Sequence, residues 1–232
     1  MKKLILSSAF AALSMLAFAQ KPTAGSSTLE TQLSLNLGGD NGFSTPEIRY
    51  RYFLKDNMAA RVRLNLGTSN FTENISDGAA TDKKTGTIKT SSFDLNLAVG
   101  AEKHFAGTSK FSPYYGAELM LGFGTGSNKT ADGSDDGIAW TGAGDKYETS
   151  GGGTIGFGLR GVFGADYYFT DAIYVGGEMG WGLSYTSTSE QKEKSTPSGV
   201  AAVEGTISEG SSSIDTGLMN FPTTSVRLGF RF

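Results

Sequence analysis

The chain has 232 residues, a formal net charge of -3, one histidine and no cysteine, and 33 of its residues are glycine. With no cysteine there are no disulfides, thiolate-bound metals or thiol chemistry, and the slightly acidic balance speaks against a nucleic-acid partner. Mean hydropathy is -0.20, the value of a loop-rich, water-soluble domain, so the order of the residues must explain why aromatic residues reach 11%.

In chain order, Lys2 and Lys3 precede an apolar stretch from Leu4 to Ala19 that ends Ala17-Phe18-Ala19. This is the pattern of a secretory signal peptide with cleavage between Ala19 and Gln20. It predicts a leader over 1–19, a short segment over 20–28 and one domain over 29–232. From there the chain alternates with period two, the mark of strands with two unlike faces. Apolar residues occupy every second position over 29–37, 48–54, 60–66, 93–101, 115–123, 155–169, 173–183 and 226–232. These apolar positions carry no charge. The opposite positions carry Arg49, Arg51, Arg61, Arg63, Arg160, Arg227 and Arg231, with as many acids: Glu30, Glu47, Asp94, Glu102, Glu118, Asp166 and Glu178.

A soluble sandwich hides its apolar face and shows its polar face to water. A barrel in lipid reverses this, and its closure satisfies every backbone group where no water can. The connections support the barrel. Those after the second, fourth and sixth strands are short, at Lys55-Asp56-Asn57, 106–110 and Thr170-Asp171; those at 67–91, 125–153 and 184–222 are long and polar. The expected fold is all-β: an eight-stranded antiparallel up-and-down transmembrane β-barrel with short periplasmic turns and long extracellular loops. Tyr52, Phe53, Phe105, Phe111, Tyr114, Tyr115, Tyr167, Tyr168, Phe169, Tyr174, Phe230 and Phe232 gather near the turn side and predict an interfacial aromatic girdle.

An eight-stranded barrel is just wide enough for side chains to fill it. Glycines on the lumen face would leave room for large neighbours. The charges at Arg49, Arg51, Arg61, Arg63, Asp94, Glu102, Glu118, Arg160, Asp166, Glu178, Arg227 and Arg231 are expected to pair within the lumen rather than line a channel. His104, beside a short turn, reads as an interfacial or turn histidine. With no histidine on the outer side, no catalytic triad can be assembled in the loops. Asp132-Gly133-Ser134-Asp135-Asp136-Gly137 has the opening spacing of a calcium loop, with Asp132 and Asp136 as weak metal candidates, but Ala143 stands where a bidentate Glu is needed. Glu190-Gln191-Lys192-Glu193-Lys194 reads as a solvated stretch. No cofactor is expected.

The stretches Pro46 to Leu54 and Phe111 to Glu118, together with Ser225-Val226-Arg227-Leu228-Gly229-Phe230-Arg231-Phe232 at the end, resemble the small eight-stranded outer-membrane barrels of the OmpA/OmpX-like family. The resemblance implies that Val226, Leu228, Phe230 and Phe232 form a signal read by the barrel-assembly machinery. It also implies integral residence in a Gram-negative outer membrane, contact with lipid and lipopolysaccharide, and an extracellular partner for the loops. The peptidoglycan-binding domain of OmpA is not expected. The leading functional expectation is a non-enzymatic barrel with a structural or surface-display role. The alternatives are a small pore or an accessory subunit of a transport or secretion complex, then an outer-membrane protease or lipid A-modifying enzyme.

Overall fold

The computed structural model describes residues 21–34, 47–77, 84–126, 128–132, 146–197, 199–219 and 225–232. The leader with Ala19 and Gln20 lies outside them, as does the connection over 35–46. The described strands are β1 (Ser27–Ser34), β2 (Glu47–Lys55), β3 (Met58–Asp77), β4 (Lys84–His104), β5 (Phe111–Gly124), β6 (Asn128–Asp132), β7 (Lys146–Gly151), β8 (Thr154–Tyr168), β9 (Ile173–Thr188), β10 (Gln191–Thr196), β11 (Val203–Ser208), β12 (Ser211–Met219) and β13 (Ser225–Arg231).

Eight staves close into a ring. β1 pairs β2, β2 pairs β3, β3 pairs β4, β4 pairs β5, β5 pairs β8, β8 pairs β9, β9 pairs β13, and β13 returns to β1, all antiparallel. The eighth stave is β12 followed by β13, which pair the upper and lower parts of β9 respectively. Period two selects the faces. Ile48, Tyr50, Tyr52 and Leu54 point outward and are exposed, whereas Arg49, Arg51 and Phe53 between them are buried. The same holds around the ring: Leu119, Leu121, Phe157, Leu159, Trp181 and Leu183 are exposed, and Glu118, Arg160 and Gly180 face inward. The exposed apolar band is what a lipid-facing surface requires, since no water remains there to reward polarity.

Among the described residues, much of the long connections is strand rather than the irregular loop expected from composition. β3 and β4 run together without interruption from Met58↔Lys103 to Asp77↔Lys84. A strand of 20 residues reaches roughly 65 Å at ~3.3 Å per residue, against an apolar band of about 25 Å. The surplus stands above the membrane. There β6 joins β4, β7 joins β6, β10 joins β7 and β11 joins β10, so parts of all three long connections form one extracellular sheet. Glu190 to Lys194 is correspondingly not a plain solvated stretch, because Lys192 and Lys194 face away from Gln191 and Glu193 along β10.

The faces exchange character on leaving the membrane. Outward positions on β3 read Val62, Leu64, Leu66, then Thr68, Asn70, Thr72 and Asn74; inward positions read Arg61, Arg63, then Phe71 and Glu73. On β4, inward Ile88 is buried. Above the membrane, water rewards the outward polar groups, and apolar side chains turn inward as in any soluble sheet.

Candidate functional site

The centre of the barrel is a packed cluster of ions. Arg51 on β2 is fully buried and pairs with three carboxylates: Glu30 on β1, Glu102 on β4 at 2.7 Å and Asp166 on β8 at 2.8 Å. Its remaining Nη2 donates to the Tyr174 hydroxyl at 2.7 Å. Arg227 on β13 reaches Glu30 at 2.9 Å and Asp166 at 3.3 Å. One level higher, Glu178 receives Arg49 at 2.7 Å and Arg61 at 2.8 Å, and the Tyr114 hydroxyl donates to it at 2.8 Å. Higher still, Glu118 holds Arg61 at 2.7 Å, Arg63 at 2.9 Å and Arg160 at 2.6 Å, and Glu47 takes Arg63 at 3.2 Å. The partners come from strands on opposite sides of the ring, so the cluster spans the lumen.

The arrangement follows from solvation. A buried charge must be paired and hydrogen-bonded or it costs several kcal/mol, and the planar guanidinium fork can serve two or three acceptors at once. Six arginines face six carboxylates in this network, which leaves it neutral before His104 is counted. Large side chains fit because the facing residues are small. A Cβ at Gly229 would overlap the Tyr174 ring, and one at Gly180 would lie 2.7 Å from Arg160 Cδ.

Of the twelve charges expected in the lumen, ten meet in this cluster. Asp94 is exposed near the outer rim, beside Gly124 and Thr154. Arg231 lies at the periplasmic end, where Nη1 donates to the Lys21 carbonyl at 3.0 Å. Lys21 in turn donates to the carbonyls of Phe105 and Ala106, so the segment before β1 is strapped to the β4–β5 turn. Partial burial there lowers the Lys21 pKa from its ordinary value.

Two corrections concern aromatic rings. Phe53, Tyr114, Tyr168 and Tyr174 are buried inside the barrel and do not belong to the girdle; Tyr52, Phe105, Phe111, Tyr115, Tyr167, Phe169, Phe230 and Phe232 are exposed. Phe53, Tyr114 and Tyr168 each sit one position from an outward ring and Tyr174 one position from outward Ile173, so strict parity identifies them. They form an aromatic floor at the periplasmic end, with Arg51 Cζ 5.3 Å from the Tyr174 ring centroid and Arg227 Cζ 5.7 Å from that of Tyr114. Such contacts favour a desolvated cation.

His104 is likewise not interfacial. It is buried between Phe53 and Tyr114, with Nε2 3.0 Å from Glu102 Oε1 and Nδ1 2.8 Å from Ser112 Oγ. The Ser112 link runs across the β4–β5 turn, whose register composition does not disclose. The group has the residue types of a hydrolytic triad, but Ser112 is buried and Glu102 is engaged by two arginines. A nucleophile needs access and an orienting partner for its base, and here the access is lacking.

The weak metal candidates are not brought together. Asp132 ends β6, opposite Lys146 on β7, and Asp136 lies outside the described residues. Among the described residues, no group of three potential metal ligands occurs. In the terminal strand, Leu228 and Phe230 pair with Thr31 and Leu29 on the outward face. Val226 pairs with Leu33, and Phe232 is exposed at the end.

A closed antiparallel ring with an apolar exterior and an ion-filled interior defines an integral β-barrel of the Gram-negative outer membrane. The model of the "Putative OmpA-OmpF-like porin family" matches residues 38–232, and the chain belongs to that family. Among solved structures, the chain is similar to the outer membrane protein OprG from Pseudomonas aeruginosa. Identity is 14% over 92% of this chain and 99% of that chain, with a TM-score of 0.41. It is also similar to the N-terminal β-barrel domain of OprF from Pseudomonas aeruginosa, at 15% identity over 91% of this chain and 100% of that one, with a TM-score of 0.31. A third is Ail, the attachment invasion locus protein of Yersinia pestis, at 11% identity over 90% of this chain and 100% of that one, with a TM-score of 0.33. No curated protein matches the sequence.

Proposed function

We propose that this barrel is a non-conducting, non-enzymatic membrane anchor that carries a folded β-sheet above the outer membrane as its contact surface. The observation that carries the reading is the lumen cluster. Arg49, Arg51, Arg61, Arg160 and Arg227 are all buried, and ions crossing the barrel would have to part pairs held from opposite walls. The long β3–β4 hairpin supports display, because strands hold a surface more rigidly than loops do. The burial of Ser112 supports a role without catalysis. The partners expected are lipid and lipopolysaccharide along the apolar band, an extracellular partner on the sheet, and the assembly machinery at the last strand.

Planar-bilayer recording of the purified, folded protein tests the closed lumen. The expected trace is flat, and a stable conductance from the monomer would replace this reading with that of a small pore. A membrane-impermeant amine reagent applied to intact cells tests the display. Labelling is expected at Lys192 and Lys194 and not at Lys55 or Lys103; the reverse pattern would invert the topology.

A further inference from the structure

Above the membrane, the inward faces of β3, β4, β6, β7 and β10 curve around a cleft of about 460 Å³. That volume lies in the range of small-molecule sites, roughly 300–1,000 Å³. The cleft is distinct from the ion cluster and continues the lumen face beyond the rim. We propose that it binds a neutral oligosaccharide, which deepens the display reading given above and rests on it.

The lining argues for this class. Phe71 stands in the cleft with 58% of its surface exposed, an aromatic face left to water among the polar side chains of Glu73, Thr90, Thr149 and Gln191. Ile88 and Tyr147 are buried at the base. The Tyr147 hydroxyl donates to Glu193 Oε2 at 2.8 Å, which fixes the ring as part of an apolar floor. Around these surfaces stand Glu73, Thr149 and Gln191. Thr149 Oγ1 accepts the Lys129 backbone N–H at 2.9 Å, so its hydroxyl hydrogen can be donated elsewhere. Glu73 can accept from two adjacent hydroxyls, and Gln191 offers one acceptor and two donors.

A pyranose ring has the matching duality, with C–H groups across its faces and hydroxyls around its edge. An aromatic ring suits the first, and a mixed donor and acceptor set suits the second. The single acid, Glu73, is balanced by the single amine, Lys129, in the lining, which favours a neutral ligand over a phosphate or a polyanion. The polar share of the wall disfavours a fatty acid.

The test uses the full chain folded in lipid nanodiscs, because a detergent with a sugar headgroup would compete. Maltohexaose, cellohexaose and chitohexaose are titrated by calorimetry, with laurate and inorganic phosphate as the contrasting probes. Saturable binding of at least one saccharide is expected, weakened at least about tenfold by Phe71→Ala and also weakened by Glu73→Gln. Asn70→Ala, on the opposite face of β3, should leave it unchanged. Phe71 is exposed, so its variant should fold, and the gel shift on boiling verifies that it has. No binding by any of the three saccharides overturns the proposal, as does equal binding by Phe71→Ala or binding of laurate or phosphate in their place. If Lys192 and Lys194 are labelled on intact cells while saccharides fail to bind, the cleft proposal falls alone. If those lysines are shielded, the display reading falls with it.

Discussion

Arg51 is the residue on which the lumen turns. It bridges Glu30, Glu102 and Asp166, so Arg51→Met should leave the buried carboxylates one cation short and destabilise the barrel by about 3–5 kcal/mol. Urea titration of the protein refolded into lipid vesicles checks this. Asp94 has the same formal standing in the sequence but sits exposed at the rim, and Asp94→Asn should fall within about 0.5 kcal/mol of the parent. Gly229→Ala places a methyl group against the Tyr174 ring, and overpacking of this kind should cost roughly 1–3 kcal/mol in the same titration. The charged residues of the lumen were legible because lipid forbids them on the other parity. The role of Ser112 was not, because its contact with His104 depends on how the turn between β4 and β5 brings the two strands into register.

The hairpin of β3 and β4 passes through two solvents. Leu121 lies on the outward face of β5, paired to Leu97 of β4, and is largely exposed. Leu121→Arg should therefore cost about 2–4 kcal/mol if it sits near the bilayer midplane. Asn70→Arg, on the outward face of β3 above Leu66, should change stability by less than about 0.5 kcal/mol. Comparing the two variants in vesicle refolding locates the membrane boundary along the sheet. Within lipid, the strands could be read from sequence because polarity alternates sharply, as in Arg61-Val62-Arg63-Leu64. Above it, runs such as Thr68-Ser69-Asn70 place similar polarity on both faces, so the strands continue while the pattern that betrays them fades. For the same reason β10 and β11 passed for loop.

Across the whole molecule the ring joins its two ends. β1 pairs with β13 over Thr28↔Arg231 to Ser34↔Ser225. The segment just before β1, Phe232 and the short turns lie on one side, and the extracellular sheet lies on the other. This arrangement was legible from the alternation of short and long connections. The pairings of β4 with β6 and of β7 with β10 were not, because those partners lie far apart along the chain and neither strand's composition points to the other. The neutral cluster lies far from bulk water, where mobile ions screen weakly. Stability should accordingly change little between low and high salt, and a steep loss in the refolding titration would mean that water enters the lumen freely.

The seam between first and last staves also gives the finished barrel a clasp. Glu30 already holds two arginines supplied by its neighbour β2, but its contact with Arg227 joins residues 197 positions apart. That contact can form only as the ring shuts, when the ordering of almost the entire chain is complete. Arg227→Gln should thus delay the appearance of the heat-modifiable band more than it disturbs the earlier hairpins. The last stave brings the final cation to an interior already assembled around its place, so electrostatics, as well as backbone pairing, distinguishes a closed barrel from an open sheet.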